Sequence, residues 1–422
     1  MNNTFVKHVL TLMKGTAIAQ FLPILISPIL TRMYTPEEFG IFAIYIAVIS
    51  VLTPIVSGRY ELAITLPKEE RAAISLFALA NIINICVTLI AVLVVIITGD
   101  RLIEILLLQD EKWLYLVPVG LFLTGLFNSL TYLNNRWGRF NYLAKSKIRQ
   151  SISMAISQLI FGFIKLGSIG LVIGYCIGQI VSIFSLSKNA RITNKIKKES
   201  IGKVDLIYVG KNYNEFPKFA MVTHSIEALS TNIPTLLLSK FFGSEYTGYY
   251  SLTTRTINLP LSLISTAVGD VFLSTASKLY RENGECEELY RKTLKILALI
   301  PIIPLILLFF IAEELFSFIF GEEWRIAGNY TKILIPALYL QFISSPLSHM
   351  FIIAKKIKLE FIIQIIILLL SILSFLVGYY IFKSTNVSLV LFSLVLIIKY
   401  LTFILFSFRF ASKKIVKTES NS

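Results

Sequence analysis

The chain has 422 residues, 40 Lys and Arg against 25 Asp and Glu for a net charge of +15, and 55% hydrophobic side chains against 15% charged ones. Soluble domains carry about a quarter charged residues, so this composition, with a mean hydropathy of +0.73, excludes a soluble protein and points to a polytopic membrane protein. Three cysteines, Cys86, Cys176 and Cys286, have neither metal-ligand nor CxxC spacing and exclude a disulfide framework.

Dividing the sequence where charge, Gly or Pro interrupts the apolar runs predicts an all-α fold of about twelve transmembrane helices, near 10–33, 39–59, 73–98, 113–135, 148–166, 169–187, 215–239, 247–275, 293–312, 329–353, 359–381 and 387–408. The first is too long and polar, and lacks the small-residue cleavage site, to be a removable signal; Lys14 sits about one turn into it. Arg59 ends the second. After the third comes an acidic loop with Asp100, Glu104, Asp110 and Glu111, and after the fourth a basic one with Arg136, Arg139, Lys145, Lys147 and Arg149. In the sixth span Gly170, Gly174 and Gly178 form a small-xxx-small ladder, a signal for close helix packing. A basic segment over 188–214 follows. The seventh span is the most polar, reading HSIEALSTNIP from His224 to Pro234, with Glu227 at its middle and His224 three residues earlier on the same face. Arg255 lies about a third of the way into the eighth, before Asn258 and Pro260. The loop after the ninth is acidic again, with Glu313, Glu314, Glu322 and Glu323, and Lys399 lies near the centre of the twelfth. Trp113, Trp137 and Trp324 fall at span ends, where amphipathic rings prefer the membrane interface.

Basic loops are retained in the cytoplasm, and they alternate with acidic ones on the opposite side, so both termini are expected to be cytoplasmic. That rule accounts for the high positive charge, and nucleic-acid binding is not expected.

Residues 27–45 and 235–253 align at a constant offset of 208 positions: Leu30 faces Leu238, Arg32 faces Lys240, Tyr34 faces Phe242, Glu37 faces Glu245, Gly40 faces Gly248 and Phe42 faces Tyr250. This maps the first hairpin onto the seventh and eighth spans. It predicts two six-helix lobes, 1–187 and 215–410, joined by the basic linker 188–214 and followed by a cytoplasmic tail, 411–422. Six spans per repeat give both lobes the same orientation, the arrangement of an alternating-access transporter.

Phosphate-loop, HExxH, GxSxG and DxD signatures are all missing, and no catalytic residue, metal site or cofactor is expected. What remains is a set of charges at membrane depth, where a charge costs about 2.5–3.5 kcal/mol and therefore faces protein or water. Lys14, Arg59, Arg255 and Lys399 are candidate anion-binding residues, and Glu227 with His224 is a candidate ion-coupling pair. Plainer readings stand beside these. Glu227 and Arg255 could neutralise one another, Lys14 and Arg59 could snorkel to the interface, and His224 could be a packing histidine. Cations outnumber the one deep carboxylate, so the expected cleft is positive.

The stretch GTAIAQFLPILISPILTRMYTPEEFGIFAIY, followed by SGRYELAITLP, resembles the Wzx-type polysaccharide flippases of the MATE-related MOP superfamily. The resemblance is strongest over residues 15–67, and Arg59 falls in its RYELAI motif. It implies a MATE-like fold in a bacterial cytoplasmic membrane and a substrate of a few sugars on undecaprenyl diphosphate, such as an O-antigen unit. It also implies coupling to a proton or sodium gradient, and as partners the lipid bilayer and possible polymerase and other polysaccharide-assembly proteins. A MATE-like exporter of cationic drugs and a membrane glycosyl polymerase or ligase are the alternatives. The first needs an acidic cleft, and the second needs large external loops and paired carboxylates.

Overall fold

The computed structural model describes residues 3–106, 112–188 and 201–412, with side chains over 16–99, 113–188 and 201–412. Part of the expected basic linker, most of the expected tail and the side chain of Lys14 therefore lie outside the described residues. Among the described residues every element is helical and none is a strand. Nine segments there are long and apolar enough to cross a membrane. The chain divides into two compact units, Met1–Gly248 and Tyr249–Ser422.

The first unit holds α1 (Asn3–Leu30), α2 (Pro36–Val56), the single turn α3 (Tyr60–Ala63), α4 (Glu70–Leu106), α5 (Val117–Arg136), α6 (Phe140–Phe163), α7 (Ser168–Ser187), α8 (Lys203–Asn212) and α9 (Met221–Phe242). It also includes the first turn of α10 (Ser244–Asn283). Helix α2 starts where its sequence directs. Thr35 accepts the Glu38 amide at 3.3 Å, the Glu38 carboxylate accepts the Thr35 amide at 2.9 Å, and Pro36 occupies the first turn. The reciprocal cap satisfies two of the donors a helix start leaves open.

Helices α6 and α7 pack through the glycine ladder. A Cβ on Gly174 would stand 2.5 Å from the Gln158 side chain, and one on Gly178 would stand 2.9 Å from the Gln150 carbonyl. Gln158 also donates to the Leu171 carbonyl and Tyr34 to that of Gln158, so the close approach is bonded as well as packed. Helix α6 is absent from the nine apolar segments because its first half carries Lys145, Lys147 and Arg149. Lys147 donates to Thr16 at 3.2 Å and Ser151 to the Ala19 carbonyl at 2.7 Å, which ties this polar face to α1.

Two of the tryptophans stand at the starts of apolar segments, as expected, with their rings turned inward. Trp113 and Trp324 are fully buried, edge-on to Tyr45 and Tyr249 respectively, so they fill the ends of the protein's own packing. Trp137 donates to Glu70 beside Arg136, which also donates to the carbonyl of Pro67. This clasp fixes the turn between α3 and α4.

The second unit continues α10 and adds α11 (Glu287–Leu299), α12 (Ile302–Phe320), α13 (Arg325–Leu347), the turn α14 (Met350–Ile353), α15 (Ile357–Tyr380) and α16 (Thr385–Ser412). The expected ninth span, 293–312, is interrupted. Helix α11 ends before Pro301 and α12 restarts after it, because a proline ring removes a helix donor and clashes with the preceding turn. The unit's core gathers Phe272, Tyr290, Phe342, Phe351 and Phe403, with the Tyr290 hydroxyl bonded to the Ile404 carbonyl. All three cysteines are free.

Candidate functional site

A cavity of about 440 Å³ lies inside the first unit, walled by α2, α5, α7 and α9. That volume falls within the range of small-molecule sites. Its lining is mixed: Ile46 and Ile49 of α2 are apolar, while Ser50, Thr53, Thr124, Tyr175, Thr231 and Asn232 present hydroxyls and an amide. One guanidinium, one imidazole and one carboxylate share it, those of Arg59, His224 and Glu227.

Arg59 reaches the cavity through an unusual piece of backbone. After α2 ends, Gly58 and Arg59 both adopt left-handed conformations, with φ of 57° and 61°. The first is free for glycine; the second is strained for an L residue and persists only where surrounding contacts hold it. Those contacts involve Glu61, which is fully buried in α3. Glu61 accepts from the Ser57 hydroxyl and stands 3.3 Å from Arg59 Nη1. The Arg59 side chain is only 17% exposed, and its Nε is buried without a hydrogen-bond partner. A buried guanidinium N–H left unmade is costly, and an acceptor brought into the cavity could satisfy it.

On the facing wall, His224 Nδ1 lies 3.3 Å from Glu227 Oε2, one turn along α9. The Glu227 side chain is 63% exposed, so its carboxylate is open to whatever enters. Further along, Asn232 donates to Ser50 at 3.1 Å and joins α9 to α2 across the cavity wall. The Tyr175 hydroxyl lies 3.4 Å from that of Thr124 and accepts from Gln179 at 2.8 Å, which fixes its direction. The arrangement offers one guanidinium for an anion, one carboxylate and imidazole for a proton or cation, and a hydroxyl-rich wall for a polyhydroxylated molecule.

Of the six residues singled out from the sequence, Arg59, His224 and Glu227 thus share one cavity. Arg255 and Lys399 belong to the second unit, on α10 and α16, and both are half-buried. The Lys399 ammonium stands 5.5 Å and 5.9 Å from the ring centres of Tyr400 and Phe403. Within the first unit, Glu227 has His224 as its hydrogen-bond partner. Glu61 was missed, although it is the third residue of the RYELAI motif; its burial makes it a second deep carboxylate beside Glu227. The hydroxyl wall was missed too, because Ser and Thr in apolar helices also bond back to their own backbone, as Thr53 does to Ile49.

Comparison with known proteins gives a consistent neighbourhood. The model of a family described as "Polysaccharide biosynthesis protein" matches residues 29–329. Over 360 residues, 82% of each chain, the sequence is 24% identical to the capsular polysaccharide biosynthesis protein CapF of Staphylococcus aureus. It is 26% identical over 136 residues to the teichuronic acid biosynthesis protein TuaB of Bacillus subtilis, a match that spans 32% of this chain and only 28% of that relative's length. Among solved structures, the lipid II flippase MurJ in an inward closed conformation superposes with a TM-score of 0.71 at 18% identity, covering 96% of this chain and 87% of that one. An inward-facing multidrug resistance MATE family transporter of the MOP superfamily superposes with a TM-score of 0.64 at 13% identity, covering 95% and 94%. The fold is therefore MATE-like.

Proposed function

This chain belongs to the polysaccharide biosynthesis protein family, and from that premise we propose that it is a flippase, moving undecaprenyl-diphosphate-linked oligosaccharide units from the inner to the outer leaflet of a bacterial cytoplasmic membrane by alternating access. It is a multi-pass membrane transporter and not an enzyme. The observation that carries the reading is the cavity that places Arg59 opposite His224 and Glu227 behind a hydroxyl wall.

The physical need is plain. A diphosphate entering hydrocarbon bare loses its hydration at a cost of tens of kcal/mol in the idealised limit. A hydrated cavity with a fixed guanidinium replaces part of that hydration with charge-assisted hydrogen bonds. In this account the partnerless Arg59 Nε meets a phosphate oxygen, and the hydroxyls of Ser50, Thr53, Thr124 and Thr231 meet sugar hydroxyls. The polyprenyl tail stays in lipid. Lys14, Arg255 and Lys399 supply further positive charge along the route. Glu227 with His224 takes up the proton or sodium ion that drives the return step. The lobes are the two six-helix repeats, 1–187 and 215–410, with both termini in the cytoplasm, and the released unit passes to a polymerase or other assembly proteins.

A cation exporter is the second reading, favoured by the open Glu227 carboxylate and by the pairing of Arg59 with Glu61. Complementation separates the two. In a strain lacking its own flippase and supplied with a defined repeat unit, this chain should restore export, and Arg59→Glu should abolish it while the protein remains in the membrane. Restored cation resistance without restored export would replace the flippase with the exporter.

A further inference from the structure

The offset of 208 positions that aligns the two halves of the sequence reappears in space at one point. A Cβ on Gly40 would lie 1.7 Å from the carbonyl oxygen of Ser244, and a Cβ on Gly248 would lie 1.9 Å from that of Pro36. Ser244 is the repeat counterpart of Pro36, and Gly248 that of Gly40. Each contact is therefore the other with the two repeats exchanged, the signature of a local two-fold axis passing between the helix starts. The motifs are Pro36-x-x-x-Gly40 and Ser244-x-x-x-Gly248, spacing that lets two helix backbones meet with nothing but hydrogen between them. Both partners at each contact are backbone, so no flexible side chain can yield to a larger residue.

The position of this crossing gives it a use. On α2, Gly40 lies six residues before Ile46, the first cavity-lining residue of that helix, so the crossing stands about 9 Å beyond the cavity's end at 1.5 Å per residue. Arg59 marks the opposite end. On the other wall α9 passes from His224 through Asn232 and then leads to Ser244, so both walls converge on the crossing from the same direction. We propose that the Gly40–Gly248 crossing is the seal on the end of the cavity away from Arg59, a backbone-to-backbone gate that must part before the cavity can open on that side. By the distribution of basic loops, that side is the outer one.

Side-specific thiol labelling tests this without any transport substrate. In a background with Cys86, Cys176 and Cys286 replaced by Ala, the cavity reporter Ser50→Cys is exposed to a membrane-impermeant maleimide, first in intact cells and then in inverted vesicles. The seal predicts protection in intact cells and reaction in inverted vesicles. Adding Gly40→Ala or Gly248→Ala should raise labelling in intact cells at least tenfold, since either Cβ wedges the crossing apart. A reporter that already reacts in intact cells, or Ala variants that leave it protected, would overturn the gate. If neither Ala variant reaches the membrane, the sidedness of the Ser50→Cys protein alone decides. A failure of export in complementation would leave these labelling outcomes unaffected.

Discussion

Helices α9 and α12 are nearly the same length, and both carry exposed side chains, yet those side chains are of opposite chemistry. On α12 the exposed residues include Ile303, Ile306 and Phe310, the last 71% exposed, and no charge interrupts the helix before Glu313. On α9 they include His224 and Glu227, and that helix is not among the nine apolar segments. Exposure in a membrane chain therefore carries no meaning until composition says what covers it. The unbroken apolar run of α12 suits it to lipid, and the charged and hydroxyl side chains of α9 suit it to water.

The sharpest way to break that contrast is to exchange the two chemistries. Phe310→Asp should drive most of the protein out of the membrane fraction, because a carboxylate facing acyl chains costs about 2.5–3.5 kcal/mol. Glu227→Leu on α9 should insert as well as the wild type. Quantitative immunoblotting of membranes reads both. Equal accumulation of the two variants would erase the distinction. Next in size is Glu227→Gln, which keeps shape and polarity and removes only the charge. Export should fall and should lose its dependence on the proton or sodium gradient, measured by collapsing each gradient with an ionophore. Normal, gradient-sensitive export would remove Glu227 and His224 from coupling.

A third comparison sets packing against cavity. Gly174→Val places a branched side chain where even a Cβ meets Gln158, so the α6–α7 pair should lose about 1–3 kcal/mol and melt earlier in detergent. Thr53→Val on the cavity wall, isosteric and at a hydroxyl that bonds back to its own helix at Ile49, should leave the melting point nearly unchanged. The smallest effect belongs to the surface. Arg71 donates to the Asp205 carboxylate at 2.9 Å and the Gly202 amide donates to it as well, and together they hold its pKa below the ordinary carboxylate value. A lowered carboxylate pKa adds stability above the unfolded value, which is lost as pH falls through the folded one. Asp205→Asn should therefore lower the melting point slightly at neutral pH and match the wild type in acid. A gap that widens in acid would reverse the sign and refute the pairing.

Much of this was legible in the chain itself, and the reasons differ by residue. Arg59, His224 and Glu227 stood out because charge is rare and costly in apolar helices, and α9 announced its surroundings through HSIEALSTNIP. Glu61 stands two residues from Arg59, but at the end of a predicted span a carboxylate reads as interfacial; only the turn after α2 carries it inward to full burial. The equivalence of Gly40 and Gly248 was visible in the repeat, but equivalence does not imply contact, and only the fold brings the two backbones together. Pro301 is visible as well, and one apolar segment, Glu287–Phe320, runs on across it although the helix assignment breaks there.

The most direct test of the account is transport by the purified protein in liposomes, with undecaprenyl-diphosphate-linked oligosaccharide in the bilayer and its headgroup scored by an impermeant sugar-oxidising or lectin probe. The account predicts that wild-type protein moves the headgroup between leaflets and that Arg59→Glu, equally folded and reconstituted, does not. Equal transport by both proteins would contradict the claim that the Arg59 cavity receives the diphosphate.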